Sequence, residues 1–376
     1  MTPALFSPIA IGPVDLPNRI AVAPMCQYTA DDGSATDWHL QHLMNMAMSG
    51  AGLVVIEATG VERRGRITHG CLGLYSDANE RALARVLAAA RAVALPGTKF
   101  GIQLAHAGRK ASTQRPWEGG GPVAADQDPW QTVSATATSF AEGWHVPEAL
   151  DEAGIARVVA AFVQAARRAV RLGFEVIELH MAHGYLVHQF TSPISNTRDD
   201  AWGGDRARRF ALPIAIAEAV IDAVPKTIAV GSRITGTDWV PEGQTVEDAA
   251  ALAAELKARG VVYACVSSGG NIPRAPIPTG PGYQVNLAAQ VKNGSGIATR
   301  AVGLIVDPHH AEDIVASGKA DMVALARALL DDPRWGWHAA EALGADLKLP
   351  PQYVRAGAKL WPGAALARPR AAEAAA

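Results

Sequence analysis

The sequence is poor in cysteine, in net charge and in long apolar runs, and each shortage excludes a class of protein. Its 376 residues include 3 cysteines, 34 Lys and Arg and 36 Asp and Glu, which gives a formal net charge of -2. Three cysteines in so long a chain cannot form a disulfide framework, and Cys26, Cys71 and Cys265 lack the paired spacing of zinc or iron–sulfur sites. We therefore expect a reducing, cytoplasmic compartment, with Cys71 and Cys265 as ordinary small residues.

The balanced charge and the short apolar runs argue against two kinds of partner. Neither nucleic acid nor an anionic membrane attracts a surface whose charges cancel. The most apolar stretch, residues 82–95, contains Arg85 and Arg91 and is too short to cross roughly 30 Å of hydrocarbon. The first 19 residues hold four prolines and lack a basic segment followed by an apolar core, so we expect no targeting segment. The sequence predicts a soluble protein without nucleic-acid or membrane partners.

Eight short apolar runs of strand type alternate with longer segments of helical period. The runs are residues 19–23, 53–58, 100–104, 176–180, 228–234, 261–267, 297–302 and 322–326. Within residues 151–172 apolar side chains recur every three or four positions, and Gly173 is expected to end this helix. A second helix is predicted from Thr245 to Arg259, with a capping-box pair formed by Thr245 and Asp248.

Strands that are apolar on both faces and alternate with helices indicate an α/β fold whose parallel sheet is buried beneath helices. Eight such units close a (β/α)₈ TIM barrel. An open doubly wound sheet is the alternative, but no G-x-G-x-x-G sequence follows any of these strands. At about 150 residues per domain the length allows two or three domains, although such barrels fold as one. We predict one barrel domain over residues 1–362 and an Ala-rich C-terminal tail over residues 363–376.

The connection between Leu104 and Asp151, after the third strand, is unusually long and is rich in Gly, Pro, Trp and Ser. Because it follows the carboxyl end of a strand, we expect it to lie over the face at which barrel enzymes hold their sites. We interpret it as a lid or a substrate wall. An ordinary surface excursion is the alternative.

His180 and His183 follow the fourth strand, and two kinds of chemistry suit such a pair. Histidines three residues apart are a familiar metal-ligand spacing, but Arg233 at the end of the fifth strand would repel a cation. As neutral imidazoles, the pair can instead donate two hydrogen bonds to one carbonyl oxygen and stabilise negative charge there. The hydroxyl of Tyr185 is suited to giving a proton to a carbanion or enolate, although a packed aromatic ring is its alternative.

The ends of the seventh and eighth strands predict a phosphate site. Gly303 and Ala326 offer backbone N–H groups, and Arg327 stands at a helix start, where the dipole favours an anion. Barrels often bind phosphate at these two strands. The alternative is an ordinary helix start at which Arg327 forms a salt bridge.

Five segments in register resemble the old yellow enzyme family of flavin-dependent ene-reductases. They are Pro24-Met-Cys-Gln-Tyr28, residues 103–110, His180-Met-Ala-His-Gly-Tyr185 with the five residues that follow, residues 192–198 with Gly203 and Gly204, and Gln352-Tyr-Val-Arg355. Cys26 and Arg355 are similar to features of the thermophilic-like branch, which includes xenobiotic reductases. The resemblance extends from Leu5 to about Arg355.

This resemblance implies a barrel that binds one non-covalent FMN and takes hydride from NADPH or NADH. The cofactor-binding residues that it implies are Ala23, Pro24, Met25, Cys26, Ala58, Gln103, Arg233, Gly303, Ala326 and Arg327. Cys26 would tune the flavin potential, and Arg233 would place a positive charge near N1 and O2. Ala326 stands where the family usually has Gly, which a negative φ would tolerate. Arg300 replaces a residue that is usually small, and an added phosphate contact is one expectation for it.

The resemblance also implies an NADPH dehydrogenase or ene-reductase that acts on α,β-unsaturated ketones, aldehydes, imides and nitroalkenes. Hydride would pass from flavin N5 to Cβ and a proton from Tyr185 to Cα, while His180 and His183 hold the activating oxygen. The implied substrate-binding residues are Tyr28, His180, His183, Tyr185 and Arg355, the last from a neighbouring subunit of a homodimer or homotetramer. A metal-dependent barrel hydrolase and a flavin-binding redox sensor that acts through Cys26 are the competing hypotheses.

Overall fold

Eight parallel strands close into a barrel in the computed structural model, which describes residues 2–367. The strands are β1 Ile20–Val22, β2 Leu53–Gly60, β3 Lys99–Ala105, β4 Val176–Met181, β5 Ala229–Thr235, β6 Tyr263–Ser267, β7 Ala298–Ala301 and β8 Met322–Leu325. Each strand pairs in parallel with its neighbours along the chain, and β8 pairs with β1 to close the ring. The predicted (β/α)₈ TIM barrel is confirmed, and each predicted strand ends within two residues of the observed one.

Eight helices pack around the barrel. They are α1 Asp37–Ala47, α2 Asp77–Val93, α3 Glu152–Arg171, α4 Ala211–Ala223, α5 Val246–Ala258, α6 Val285–Ser295, α7 Pro308–Ala316 and α8 Trp335–Leu343. Shorter helices are Leu186–Thr191, Arg206–Arg209, Arg327–Asp331 and Ala364–Ala367, and 3-10 turns are Ala4–Phe6, Arg63–Gly65, Gly108–Lys110, Pro116–Glu118 and Pro351–Ala356. A hairpin of Ile9–Ile11 and Val14–Leu16 packs against the barrel interior.

The helix ends follow from their capping residues. The Asp151 side chain accepts a hydrogen bond from the backbone N–H of Gly154 at 2.7 Å and so begins α3. Thr245 accepts from the N–H of Asp248 at 3.2 Å, and the Asp248 carboxylate accepts in return from the N–H of Thr245 at 3.3 Å. This reciprocal pair is the capping box predicted for α5.

Strand side chains alternate between two apolar layers, because successive residues of a strand point to opposite faces. Val54, Ile102 and Ile177 lie in the outer layer, between the sheet and the helices. The inner layer fills the barrel with residues such as Leu53, Val55, Val176, Tyr263 and Cys265. This division decides which strand residues can reach the mouth of the barrel and which are enclosed in it.

Arg300 on β7 lies inside the barrel, not at its mouth. Its guanidinium is fully buried and forms an ion pair with Glu178 of β4. The expectation that Arg300 adds a phosphate contact is therefore wrong. The reason is the alternation of the strand, which turns Ala301 outward to the helices and Arg300 inward.

The long connection between β3 and α3 lies over the carboxyl end of the barrel, as predicted. Nη2 of Arg109 donates to the carbonyl of Asn271 at 2.8 Å, and Nζ of Lys110 donates to the carbonyls of His183 at 2.9 Å and Gly270 at 2.8 Å. Within the connection Val133–Ser134 pairs with Glu148–Ala149. The loop is thereby tied to the segments that follow β4 and β6, and its function as a lid or wall stays a prediction.

Two expectations concern the chain as a whole. No helix within residues 2–367 is long and apolar enough to cross a membrane. Most of the predicted tail, residues 368–376, lies outside the described residues, and the assignment of one domain to residues 1–362 stays a prediction.

Candidate active site

The predicted cofactor-binding residues converge at the carboxyl end of the barrel. A cleft of about 220 Å³ is lined by six of the ten, which are Ala23, Pro24, Arg233, Gly303, Ala326 and Arg327. Ala58 instead lines a small neighbouring cavity together with Cys71 and Tyr185. Clefts in this position hold small molecules in barrel enzymes.

His180 and His183 lie side by side at the end of β4. Nε2 of His180 is 3.3 Å from Nδ1 of His183. The backbone N–H of Ala182 donates to Nδ1 of His180 at 3.2 Å, so a neutral His180 carries its proton on Nε2. Nε2 of His183 is 2.7 Å from the hydroxyl oxygen of Ser267. When Ser267 donates to that nitrogen, Nδ1–H of His183 and Nε2–H of His180 can both donate to one oxygen.

Both imidazoles are neutral near pH 7. Burial lowers the pKa of each ring well below its ordinary value, and the positive charges of Arg233 and Lys110 lower it further. The same charges disfavour a metal ion here. In residues 2–367, no group of three or more His, Cys, Asp and Glu side chains is placed to hold a metal ion. The geometry thus favours hydrogen-bond donation over metal ligation.

Tyr185 precedes the short helix Leu186–Thr191 and turns the edge of its ring toward both histidines. The ring centroids are 5.0 Å from His180 and 6.4 Å from His183. Burial raises the pKa of the phenol well above its usual 10, so the group stays protonated at neutral pH. Nζ of Lys110 lies 5.0 Å from the centroid of this ring. The phenol is therefore a proton donor with a cation over its ring.

A strained turn places the histidine pair and the tyrosine. His183 has a φ of 62° and Gly184 a φ of 69°, both in the left-handed region. A Cβ at Gly184 would lie 2.1 Å from the carbonyl oxygen of Gly270, so only glycine fits there. The N–H of Gly184 donates to Nδ1 of His188 at 2.8 Å, which fixes the turn. Backbone strain of this kind concentrates at functional sites.

The cleft also fits the FMN that the resemblance implies. Nε of Arg233 is buried without a hydrogen-bond partner among the described residues, and an unpaired guanidinium N–H is costly unless a bound group accepts it. Gly303 has a φ of 112°, a conformation that residues other than glycine rarely adopt, and this keeps the backbone bare. Ala326 has a φ of -114°, so its methyl group is tolerated, as expected. Arg327 is exposed at the cleft and is in none of the ion pairs of residues 2–367.

Cys26 and Cys71 are neighbours in the fold. A hydrogen bond to the Cys71 thiol, together with burial, raises the pKa of Cys26 well above its ordinary value. The N–H of Thr68 donates to Sγ of Cys71 at 3.3 Å. Cys71 is thus the partner of the predicted flavin-tuning thiol, a role that its place in the sequence did not indicate.

The other predicted substrate residues lie in two places. Tyr28 meets Trp117 of the long loop with ring centroids 5.8 Å apart, and its carbonyl accepts from Nε of Arg115 at 2.9 Å. Arg355 is exposed in the turn Pro351–Ala356, and none of the contacts within residues 2–367 joins it to the histidine pair. The structure therefore brings Tyr28 near the long loop and leaves Arg355 at the surface of its own chain.

Sequence reasoning assigned no role to three residues that shape the site, Lys110, Ser267 and Gln284. The Ser267 hydroxyl lies 2.7 Å from Nε2 of His183 and 3.2 Å from Oε1 of Gln284, so its single proton can be donated to either acceptor. Ser267 was recognisable as the last residue of a predicted strand, level with the other strand ends. Lys110 had no such signal, because its partners are backbone carbonyls of two distant loops.

Known proteins are similar to this chain over most of its length. The family described as NADH:flavin oxidoreductase / NADH oxidase matches residues 4–345. The chain is 42% identical over 354 residues to an NADPH dehydrogenase of Listeria innocua serovar 6a, covering 94% of this chain and 98% of the relative. It is 39% identical over 357 residues to an NADPH dehydrogenase of a Geobacillus species, covering 94% and 99%. Among solved structures, morphinone reductase is 27% identical with a TM-score of 0.74, over 94% of this chain and 93% of that chain.

Proposed function

Since the chain belongs to the NADH:flavin oxidoreductase / NADH oxidase family, that of the old yellow enzymes, we propose that it reduces activated C=C bonds. Membership makes it an oxidoreductase that uses FMN, with NAD(P)H as the donor. The proposed substrates are α,β-unsaturated ketones, aldehydes, imides and nitroalkenes. The observation that carries this proposal is the pair of histidine nitrogens 3.3 Å apart beside the Tyr185 ring, where burial favours the neutral form of all three side chains.

The histidine pair would bind the oxygen that activates the alkene. Nε2 of His180 and Nδ1 of His183 are 3.3 Å apart, which lets one oxygen accept from both. Such donors stabilise negative charge that develops on the oxygen, by roughly 10² to 10³ in rate for each donor. Neutral rings suit this task, because they donate without giving up a proton.

Tyr185 would deliver a proton to Cα while bound FMN supplies hydride to Cβ. The raised pKa keeps the phenol protonated until the neighbouring carbon becomes basic. As the proton leaves, negative charge grows on the phenol oxygen. The ammonium of Lys110, held over the ring by two backbone carbonyls, stabilises that charge.

The strand ends would hold the cofactor in two parts. We assign the ring to Ala23, Pro24, Met25, Cys26, Ala58, Gln103 and Arg233, and the phosphate to Gly303, Ala326 and Arg327. Arg233 supports the assignment because its buried Nε has no hydrogen-bond partner within residues 2–367, and Gly303 because its bare backbone borders the cleft. The neutral thiol of Cys26, hydrogen-bonded to Cys71, would tune the flavin potential.

We assign the remaining substrate contacts to Tyr28 and to Arg355 of a neighbouring subunit. Tyr28 packs against Trp117, which would close one wall of the pocket. Arg355 is flanked by Tyr353 and Val354, which are large, apolar and exposed, and exposed apolar groups of this kind favour association. A homodimer or homotetramer would bring such a segment to the site of another copy.

An anaerobic turnover experiment tests the proposed function. The purified protein is mixed with NADPH and cyclohexenone, and NADPH oxidation and formation of cyclohexanone are followed together. We expect flavin absorption bands, rapid oxidation with the enone and one saturated ketone for each NADPH. Cyclohexene is the matched control, because it has the double bond but no oxygen for the histidine pair. The proposal would be overturned if NADPH were oxidised equally fast with both compounds, or if neither compound accelerated its oxidation.

A further inference from the structure

Four polar side chains from four strands form one buried cluster inside the barrel. They are Gln103 of β3, Glu178 of β4, Tyr263 of β6 and Arg300 of β7. Gln103 is 2% exposed and the other three are fully buried. Charged groups at such depth are rare unless they are paired, so this cluster needs a reason.

Glu178 is the centre of the cluster. Its Oε1 accepts a hydrogen bond from Nε2 of Gln103 at 2.8 Å. Its Oε2 accepts from the hydroxyl of Tyr263 at 2.8 Å and from Nη2 of Arg300. The guanidinium of Arg300 also lies 5.0 Å from the centroid of the Tyr263 ring. Both carboxylate oxygens are therefore used, and each partner donates.

Stability does not explain the ion pair. Nε and Nη1 of Arg300 are buried without a hydrogen-bond partner among the described residues, which is unfavourable. Replacing a buried ion pair with apolar side chains is often neutral or stabilising. Burial opposes the charge of Arg300, but Glu178 raises the pKa of the guanidinium well above its ordinary value. The pair is thus kept charged at a cost to the fold.

The charge has a consequence for the Gln103 amide. An ionised carboxylate only accepts hydrogen bonds, whereas an amide has a donor end and an acceptor end. Gln103 must therefore turn Nε2 toward Glu178, which directs Oε1 away from it. No donor within residues 2–367 is hydrogen-bonded to that Oε1. Without the charge on Glu178, the two orientations of the amide would become similar in energy.

We propose that Glu178 and Arg300 are positioning residues that hold the Gln103 amide with its oxygen toward the flavin ring. This inference rests on the proposed binding of FMN at Gln103. The oxidised isoalloxazine ring has a single N–H donor, N3–H, so an acceptor fixed by the protein selects for that group. Arg300 acts at one remove: its guanidinium pairs with the Glu178 carboxylate, and that carboxylate keeps the amide in one orientation.

The test compares how tightly the full-length apoprotein binds FMN and 3-methyl-FMN, which lacks the N3–H donor. Binding is followed by quenching of flavin fluorescence. Gln103→Leu gives the part of the discrimination that is due to the bulk of the methyl group alone. The quantity compared is the dissociation constant of 3-methyl-FMN divided by that of FMN. We expect this ratio to be about ten times larger in the wild type than in Gln103→Leu, the loss typical of one buried hydrogen bond.

The decisive variant is Glu178→Gln with Arg300→Met, which removes both charges and leaves neither unpaired. We expect its ratio to fall to that of Gln103→Leu. Tyr263→Phe is the matched control, because it removes one hydrogen bond to Glu178 and keeps the ion pair, and we expect it to retain the wild-type ratio. Glu178→Gln with Arg300→Ala serves the same purpose if the first double variant does not fold.

The outcomes separate this inference from the proposed function. A folded double variant that keeps the wild-type ratio would overturn the positioning role while leaving FMN binding intact. A wild-type ratio equal to that of Gln103→Leu would also overturn it. Failure of the wild-type protein to bind FMN at all would instead contradict the assignment of the cleft.

Discussion

Glu178 and His180 lie two residues apart on β4 and point to the same side of the strand, yet positive neighbours have opposite effects on the two side chains. Glu178 meets Arg300 and forms an ion pair. His180 meets Arg233 and Lys110, and burial with these positive neighbours lowers its pKa. Positive neighbours thus attract the Glu178 carboxylate but disfavour a charged His180. Glu178, inside the barrel, is part of an ion pair and fixes the orientation of the Gln103 amide. His180, at the end of β4, is neutral and free to donate to a substrate.

The largest effect is expected from Tyr185→Phe, which removes the proton donor beside the histidine pair. The alkene half-reaction should slow by about 10² to 10⁴-fold, the usual value of a positioned acid. Reduction of the bound flavin by NADPH should change little, because that half needs no proton from Tyr185. Stopped-flow measurement of the two half-reactions separates them.

Tyr75→Phe is the matched control for that substitution. The Tyr75 hydroxyl donates to the carbonyl of Asp32 at 2.9 Å. None of the contacts within residues 2–367 joins Tyr75 to the histidine pair. We expect both half-reactions of this variant to match those of the wild type. Equal slowing of the two half-reactions in Tyr185→Phe would show that Tyr185 is a packing residue, which was its alternative reading.

A smaller effect is expected from loss of the positive charge of Lys110, which lies over the Tyr185 ring. Burial and the neighbouring Arg109 lower the pKa of Lys110 to about 8. Below that pH the ammonium is charged and stabilises the departing phenol oxygen, and above it the charge is lost. Proton donation by Tyr185 should therefore slow as the pH rises through 8, by about tenfold in all.

Two variants of Lys110 test this pH dependence by stopped flow with an enone. Lys110→Arg keeps a charge that does not titrate near pH 8, so its alkene half-reaction should stay fast across the range. Lys110→Met should be slow throughout and lose the inflection. An inflection near pH 8 that persists in Lys110→Met would assign it to another group and remove Lys110 from the comparison.

Much of the barrel was predictable from local sequence. The strands are apolar on both faces and alternate with helices, so eight such units predicted the barrel, and the run from His180 to Tyr185 carries its chemistry within six residues. The capping pair of Thr245 and Asp248 is equally local. In each case the residues that interact are neighbours in the chain.

The partners that set charge and orientation were not predictable in this way. Glu178 and Arg300 are 122 residues apart in the sequence, and their contact depends on which residues of β4 and β7 face inward. Arg300 was expected at the phosphate because it precedes Gly303, but the alternation of the strand turns it into the barrel. Cys71 and Lys110 likewise gain their roles only from the packing of distant loops.

The smallest expected effect concerns the tautomer of His183. Ser267 lies 2.7 Å from Nε2 of His183, and its donation to that nitrogen would leave Nδ1–H for the substrate oxygen. Ser267→Ala should weaken binding of a phenol, which mimics an enolate, by about two- to tenfold, the value of one modest hydrogen bond. His183→Ala should weaken it more. Titrations that follow the flavin spectrum measure both.

Ser268→Ala is the control that makes this small effect interpretable. The Ser268 hydroxyl donates to Oε1 of Gln284 at 2.7 Å, the same acceptor that Ser267 approaches, but it has no described contact with His183. We expect phenol affinity to be unchanged in Ser268→Ala. If both serine variants weaken phenol binding alike, the effect comes from Gln284, which contacts both serines, and not from Ser267 alone. The hydrogen of His183 would then not be fixed by a single partner in the way that Glu178 fixes the amide of Gln103.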